Sequence, residues 1–184
     1  MLTTEFLLRD QYAKYGSWLK TQDPQTLHNY FGYSMSKRAI DALVKTFIQN
    51  LRNNHFLVAK IDGKWAGTMH IASRGTEVEF GVIVSPKYRK QGTAITMMDE
   101  AITWARNRHY KDLFIHCISW WNRPIQRRYE KHGLVPRNMM SDSEANLQLD
   151  PPNWGTLFKE QMAIAKHNWL LMLPCAKPHC LIGR

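Results

Sequence analysis

The chain is short of three things. Cysteine is the first: Cys117, Cys175 and Cys180 are the only three in 184 residues. An odd, small number excludes a disulfide scaffold and points to a reducing, cytoplasmic setting. Apolar runs are the second. The longest stretches, such as Phe80–Val84 and Trp169–Leu173, fall far below the ~18 to 20 residues that a membrane-spanning helix needs. Residues 1–10 also lack the basic start and sustained apolar stretch of a secretory leader. Acid is the third, with 15 Asp and Glu against 25 Lys and Arg. Metal ligands are scarce as well. Cys175, His179 and Cys180 cluster without a fourth partner, so no metal site is expected.

What is present suits a globular protein. Apolar residues make up 44% and charged residues 22%, near the usual composition of folded domains. The length fits one domain over residues 1–184, burying roughly 70% of the surface its unfolded chain exposes. The formal charge is +10. From Lys87 to Arg137 eleven Lys and Arg stand against four Asp and Glu, so +7 of that charge lies in one stretch. Such a surface attracts nucleic acid, acidic membrane or a phosphorylated cofactor. Any one of these side chains, taken alone, is more often part of a solvated face.

Periodicity divides the chain. Gln11–Lys20 and Ser36–Leu51 read as helices, the second with Ser36 as its cap and Ile40, Leu43, Val44, Phe47, Ile48 and Leu51 as its apolar stripe. A short strand is expected at Thr4–Leu8. Phe56–Ile61, Trp65–Ala72 and Glu77–Val84 then read as three antiparallel strands, joined at Asp62-Gly63 and Arg74-Gly75. A helix follows over Thr93–Arg108, with Ile95, Met98, Ile102 and Ala105 on one face. Leu113–Ile118 reads as a strand and Pro124–His132 as a helix stopped by Gly133. A strand is expected to begin at Leu134-Val135. Residues 139–153 read as irregular, Trp154–Lys166 as a helix, Asn168–Leu173 as a last strand and 174–184 as a short tail. The order predicts a mixed α/β or α+β fold.

Chemistry concentrates at Glu79–Ala94, where a strand passes through a basic loop into a helix. The first amides of a helix have no intrahelical partner, and the dipole adds positive potential there. That geometry binds phosphate. Gly92 lets backbone approach an anion closely, and Ala94 keeps the first turn small.

The run Arg89-Lys90-Gln91-Gly92-Thr93-Ala94 resembles the acetyl-CoA loop of the GNAT superfamily of N-acetyltransferases, which reads Arg or Gln, two variable residues, Gly, one variable residue, then Gly or Ala. Lys90 stands where Gly is common. Downstream, Asn122 to Leu134 resembles the later helix of that family, with Asn122, Tyr129, Glu130, Lys131, Gly133 and Leu134 in matching places. Pro124 and Arg128 depart from it. The resemblance implies a mostly antiparallel mixed sheet, splayed around an acetyl-CoA cleft and flanked by helices. It implies that the cofactor pyrophosphate sits on Arg89, Lys90, Gln91, Gly92, Thr93 and Ala94. The pantetheine arm would pair with the backbone of Val82, Ile83 and Val84, and Asn122 would add a contact. An amine acceptor would attack the thioester directly in a ternary complex. Tyr129 would protonate the departing thiolate, since a phenol stays protonated at neutral pH. Glu79, which shares a strand face with Glu77 while Val78, Phe80 and Val82 take the other, would receive the amine proton directly or through water.

His116 and Cys117 on the next strand fit structural roles better than catalytic ones. Trp120 and Trp121 would wall a pocket or pack at its rim. Two other functions suit the same chain: acetylation of aminoacyl-tRNA, which the basic surface favours, and a catalytically idle module that binds a protein or nucleic acid. With strands at 134–135 and 168–173, residues 136–167 form a connection well beyond the ~12 to 15 residues common in compact domains. The segment near 139–168 is thus expected to be an insertion, shaping the acceptor pocket or making a homodimer contact.

Overall fold

Seven strands form one sheet in the computed structural model, which describes residues 1–117, Glu130, 135–138 and 143–172. The strands are β1 (Leu2–Phe6), β2 (Asn54–Ile61), β3 (Lys64–Arg74), β4 (Glu77–Val84), β5 (Asp112–Cys117), β6 (Val135–Asn138) and β7 (Ser143–Gln148). Their order is β1-β2-β3-β4-β5-β7-β6. Among the described residues only β4 and β5 pair in parallel. The helices are α1 (Tyr12–Leu19), α2 (Pro24–Phe31), α3 (Lys37–Gln49), α4 (Thr93–Asn107) and α5 (Trp154–Met172). The fold is the mixed α/β, mostly antiparallel arrangement that the sequence implies.

Alternation along the strands sends side chains to two separate cores. Leu57, Ala59, Met69, Ile71, Val78 and Phe80 meet Met97, Met98, Ala101, Trp104 and Ala105 of α4, and Leu113, Ile115 and Leu147 continue that layer. Phe56, Val58 and Ile83 point the other way, onto Tyr12, Tyr15 and Leu19 of α1, Leu27 of α2, and Ile40 and Val44 of α3. His70 belongs to this second side. It stacks on Phe56 with ring centroids 5.0 Å apart, lies 4.5 Å from Phe47, and sits with Nε2 2.7 Å from Asn54 Oδ1. Burial first, then the charge of His55, pushes its pKa down to about 4.

Local signals explain most boundaries. Ser36 caps α3 by accepting from the Ala39 N–H. Asp62 and Gly63 both take positive φ in the β2–β3 turn. Several expectations need correction. The first strand is Leu2–Phe6, not Thr4–Leu8; Leu7 instead donates its N–H to the Phe56 carbonyl. The α4 face is rotated, so that Met97, Ala101 and Trp104 are buried while Ile95 and Ile102 are half-buried. α2 went unread, although Asp23 caps it, Pro24 opens it and left-handed Gly32 ends it.

The largest correction concerns the last strands. Residues 143–148 are not irregular but form β7, between β5 and β6. The strand expected at Asn168–Leu173 is replaced by helix as far as Met172. A continuous apolar run has no diagnostic period, and Trp169-Leu170-Leu171-Met172 contains no β-branched residue to oppose a helix. β6 ends at Asn138 and β7 starts at Ser143, so the long connection expected between the final two strands gives way to residues 139–142. Much of the expected insertion is thus strand and helix.

α5 lies against the end of α4. Asn107 Nδ2 donates to Glu160 Oε2 at 2.6 Å, and Arg108 Nη1 lies 2.8 Å from Glu160 Oε1. Another face of α5 is exposed: Trp154 is 89%, Phe158 68% and Met162 53% accessible. Among the described residues no helix is long and apolar enough to cross a membrane.

Candidate active site

The site begins where β4 and β5 part. Their parallel register runs from Glu77 opposite Asp112 to Phe80 opposite Ile115 and goes no further. β4 continues to Val84 and β5 to Cys117. Backbone groups along a strand alternate between its two sides. Ser85 N–H bonds to Ala66 on the β3 side, whereas the Thr76 carbonyl receives the Lys111 N–H on the β5 side. Odd residues of β4 therefore turn their N–H and C=O toward β3, and even residues toward β5. Beyond Phe80, Val82 and Val84 direct theirs into the gap. Ile83 does not: its backbone faces β3 and its side chain is buried in the second core. The Val84 carbonyl takes a bond from Arg89 Nε at 3.1 Å.

The loop after β4 ends at Gly92, the N-cap of α4, with φ 78° and no side-chain cap. A Cβ built at Gly92 would meet nothing within 4 Å. Open space in front of uncapped amides is what an anion needs. Lys90 is also left-handed, with φ 59°. The remaining loop side chains brace the turn. Thr93 Oγ1 donates to the Tyr88 carbonyl at 3.2 Å, and Gln91 Nε2 to the Lys87 carbonyl at 3.1 Å. Arg89 turns back into the protein, where Nη2 donates to Thr26 Oγ1 at 2.7 Å. Thr26 Oγ1 in turn donates to Asp23 Oδ2 at 2.6 Å. Thr26, more than anything else, holds the Asp23 carboxyl below its ordinary value. Ser85 Oγ donates to Gln22 Oε1 at 2.6 Å. The start of α2 and the β4–α4 loop are thus one braced unit.

Glu79 lies one residue before the last β4–β5 pair and is half-buried. Glu77 shares its face, as the strand period predicts, while Val78 and Phe80 are buried on the opposite one. A cavity of about 220 Å³ opens beside it, lined by Ala72, Arg74, Glu77, Val78, Glu79, Phe114 and Ile115. Tyr30 of α2 packs over Gly81 on the same face, with its hydroxyl 3.4 Å from the Gly81 carbonyl. Burial pushes the Tyr30 hydroxyl up to about 12, and the Glu79 charge acts in the same direction. Sequence reasoning missed Tyr30, Thr26, Asp23 and Gln22. The Asp23-Pro24 start and Gly32 stop of α2 were the available signals. Tyr129, Asn122, Trp120, Trp121, Cys175, His179 and Cys180 lie outside the described residues.

Comparison with known proteins gives a consistent picture. A profile described as the acetyltransferase (GNAT) family matches residues 16–134. An acetyltransferase of that family from Streptococcus pneumoniae has 16% identity, covering 82% of this chain and 100% of its own, with a TM-score of 0.61. Spermidine N-acetyltransferase from Vibrio cholerae, solved with CoA and spermine, has 14% identity, covers 80% and 95%, and scores 0.62. An N-acetyltransferase from Thermoplasma acidophilum, solved with coenzyme A, has 12% identity, covers 80% and 99%, and scores 0.57. No curated protein matches the sequence. At these identities the solved structures speak for the fold.

Proposed function

The chain belongs to the acetyltransferase (GNAT) family, and from that membership we propose that it moves an acetyl group from acetyl-CoA to an amine acceptor by direct attack in a ternary complex. The observation that carries this reading is the gap between β4 and β5, into which Val82 and Val84 direct backbone groups. Acetyl-CoA supplies the activated acyl group as a thioester. Residues of this chain do the rest. The amides of Lys90, Gln91, Gly92, Thr93 and Ala94 hold the pyrophosphate, with Arg89 bracing the loop from below. Val82 and Val84 hold the pantetheine arm as a neighbouring strand would, and Asn122 contributes a polar contact. Glu79 takes the proton from the attacking amine, directly or through one water. Tyr129 returns a proton to the thiolate. Of the three β4 residues expected to pair with the arm, Ile83 drops out because its backbone serves β3.

The basic stretch from Lys87 to Arg137, at +7, favours a second acceptor, the amino group of aminoacyl-tRNA, because a polyanionic carrier would be steered to such a surface. The Vibrio cholerae protein was solved in complex with CoA and spermine, so polyamines join charged tRNA and peptides in an acceptor screen. The deciding experiment is calorimetry. Acetyl-CoA should bind the wild-type protein and raise its Tm by mass action. Gly92→Val, which places two methyls in the space in front of the loop amides and strains a left-handed residue, should abolish both effects. A folded wild-type protein that binds no acetyl-CoA would leave only a non-catalytic binding module.

A further inference from the structure

We propose that Tyr30 is a positioning residue for the acetyl site: seated on Gly81, it fixes the peptide between Gly81 and Val82 and so aims the Val82 N–H into the gap between β4 and β5. The inference rests on the acyltransferase reading for its purpose, but its geometry stands alone. Phe80 is the last β4 residue paired with β5, so the Gly81–Val82 peptide is the first beyond the branch. In a trans peptide the carbonyl and the N–H point to opposite sides. The Gly81 carbonyl faces β3, where His70 lies opposite, and the Tyr30 hydroxyl adds a second donor to it at 3.4 Å. The Val82 N–H therefore leaves on the gap side, where a thioester oxygen would need a donor. A bond on the carbonyl side polarises the peptide and strengthens the donor at its other end.

The seat is specific to glycine. Gly81 does not carry a positive φ, so conformation does not demand it. Contact does: a Cβ there would lie 2.6 Å from the Tyr30 hydroxyl oxygen and 3.2 Å from Cε2 and Cζ. The ring itself is held in place. Phe31 meets it edge-on at 4.6 Å, the ring packs against the second core that holds Tyr15, and α2 is tied at its start to Arg89 through Thr26. No acetyl-CoA contact is needed for this arrangement, so it is already present in the free protein.

The test uses the full-length chain and three variants: Tyr30→Phe, Gly81→Ala and the double substitution. In amide NMR spectra of the free protein, Tyr30→Phe should shift the Val82 amide proton upfield and leave Val84 nearly unmoved. In turnover it should lower kcat roughly fivefold, the scale of one neutral hydrogen bond, with the KM for acetyl-CoA unchanged. Gly81→Ala should cost more. The double variant should recover part of that loss, because removing the hydroxyl removes the closest contact. An unmoved Val82 amide in Tyr30→Phe overturns the inference, as does a kcat that falls only with the folded fraction. A wild-type protein that binds no acetyl-CoA would instead overturn the acyltransferase reading, and the Val82 resonance would still decide the role of Tyr30.

Discussion

Lys90 and Gly92 share a backbone property that their side chains hide. Both are left-handed, and alternation of left- and right-handed residues turns successive N–H groups inward into an anion-binding concavity. At Gly92 this was legible from the residue type. At Lys90 it was not, because a lysine seldom takes a left-handed conformation and its type gives no sign of one. The side chain of Arg89 carries a different lesson: its guanidinium braces Thr26 and Val84, and a sequence carries no record of which way a long side chain turns. For Glu79, Glu79→Gln should alter the pH–rate profile more than acetyl-CoA binding, and an unaltered profile rules it out as the base. Tyr129→Phe should reduce kcat by about 10²-fold, within the range of general acid catalysis, with affinity for CoA kept. His70 yields a stability prediction. Its folded pKa of about 4 lies below the ordinary 6.5, so between these values the unfolded chain binds more protons than the folded one. Stability should fall as pH drops from 6.5 toward 4, and His70→Phe should flatten that part of a Tm-versus-pH curve.

Among the elements, strands β2, β3 and β4 were readable because their alternation is strict and their turns carry Asp-Gly or Gly. β7 was obscured by its polar surroundings. Only the period-two set Ala145, Leu147 and Leu149 marks it, and Leu147 and Leu149 are indeed buried. That strand also changes how the acceptor side must be probed. Replacing Ser141–Asn153 would delete β7 outright, so exchange of residues 139–142 is the informative variant, and a raised acceptor KM at constant acetyl-CoA KM is the expected result. The helix α5 carries the apolar stripe Trp154, Phe158 and Met162 on its exposed side. Self-association through this stripe is the dimer proposal in concrete form. Trp154→Ser/Phe158→Ser should shift sedimentation from dimer to monomer with the fold kept, since neither ring is buried within the chain, and Tm should fall only to the value the wild type shows on dilution. A wild-type protein that sediments as a monomer at high concentration ends that proposal.

At the scale of the molecule, the mixed fold and, α2 apart, its order of elements up to β5 followed from periodicity, whereas the branch in the sheet did not. Nothing in the periodicity of residues 77–84 or 112–117 announces that pairing stops after Phe80 and Ile115; the splay was implied by the family resemblance alone. The branch has a thermodynamic consequence. Among the described residues, four register pairs form the hydrogen-bonded seam between β1–β4 and the β5-β7-β6 group, with α4 packed across both. Such a short seam predicts that the sheet opens as two cooperative units rather than one, each with its own opening free energy. Native-state hydrogen exchange on the free protein should therefore show β5 and β7 opening at lower free energy than β2 and β3. A ligand lodged between Val82–Val84 and β5 would couple the two units, so acetyl-CoA should raise protection in β7, on the far side of β5 from the gap, nearly to the global value. Equal protection of both groups without ligand would show that α4 alone already makes them one.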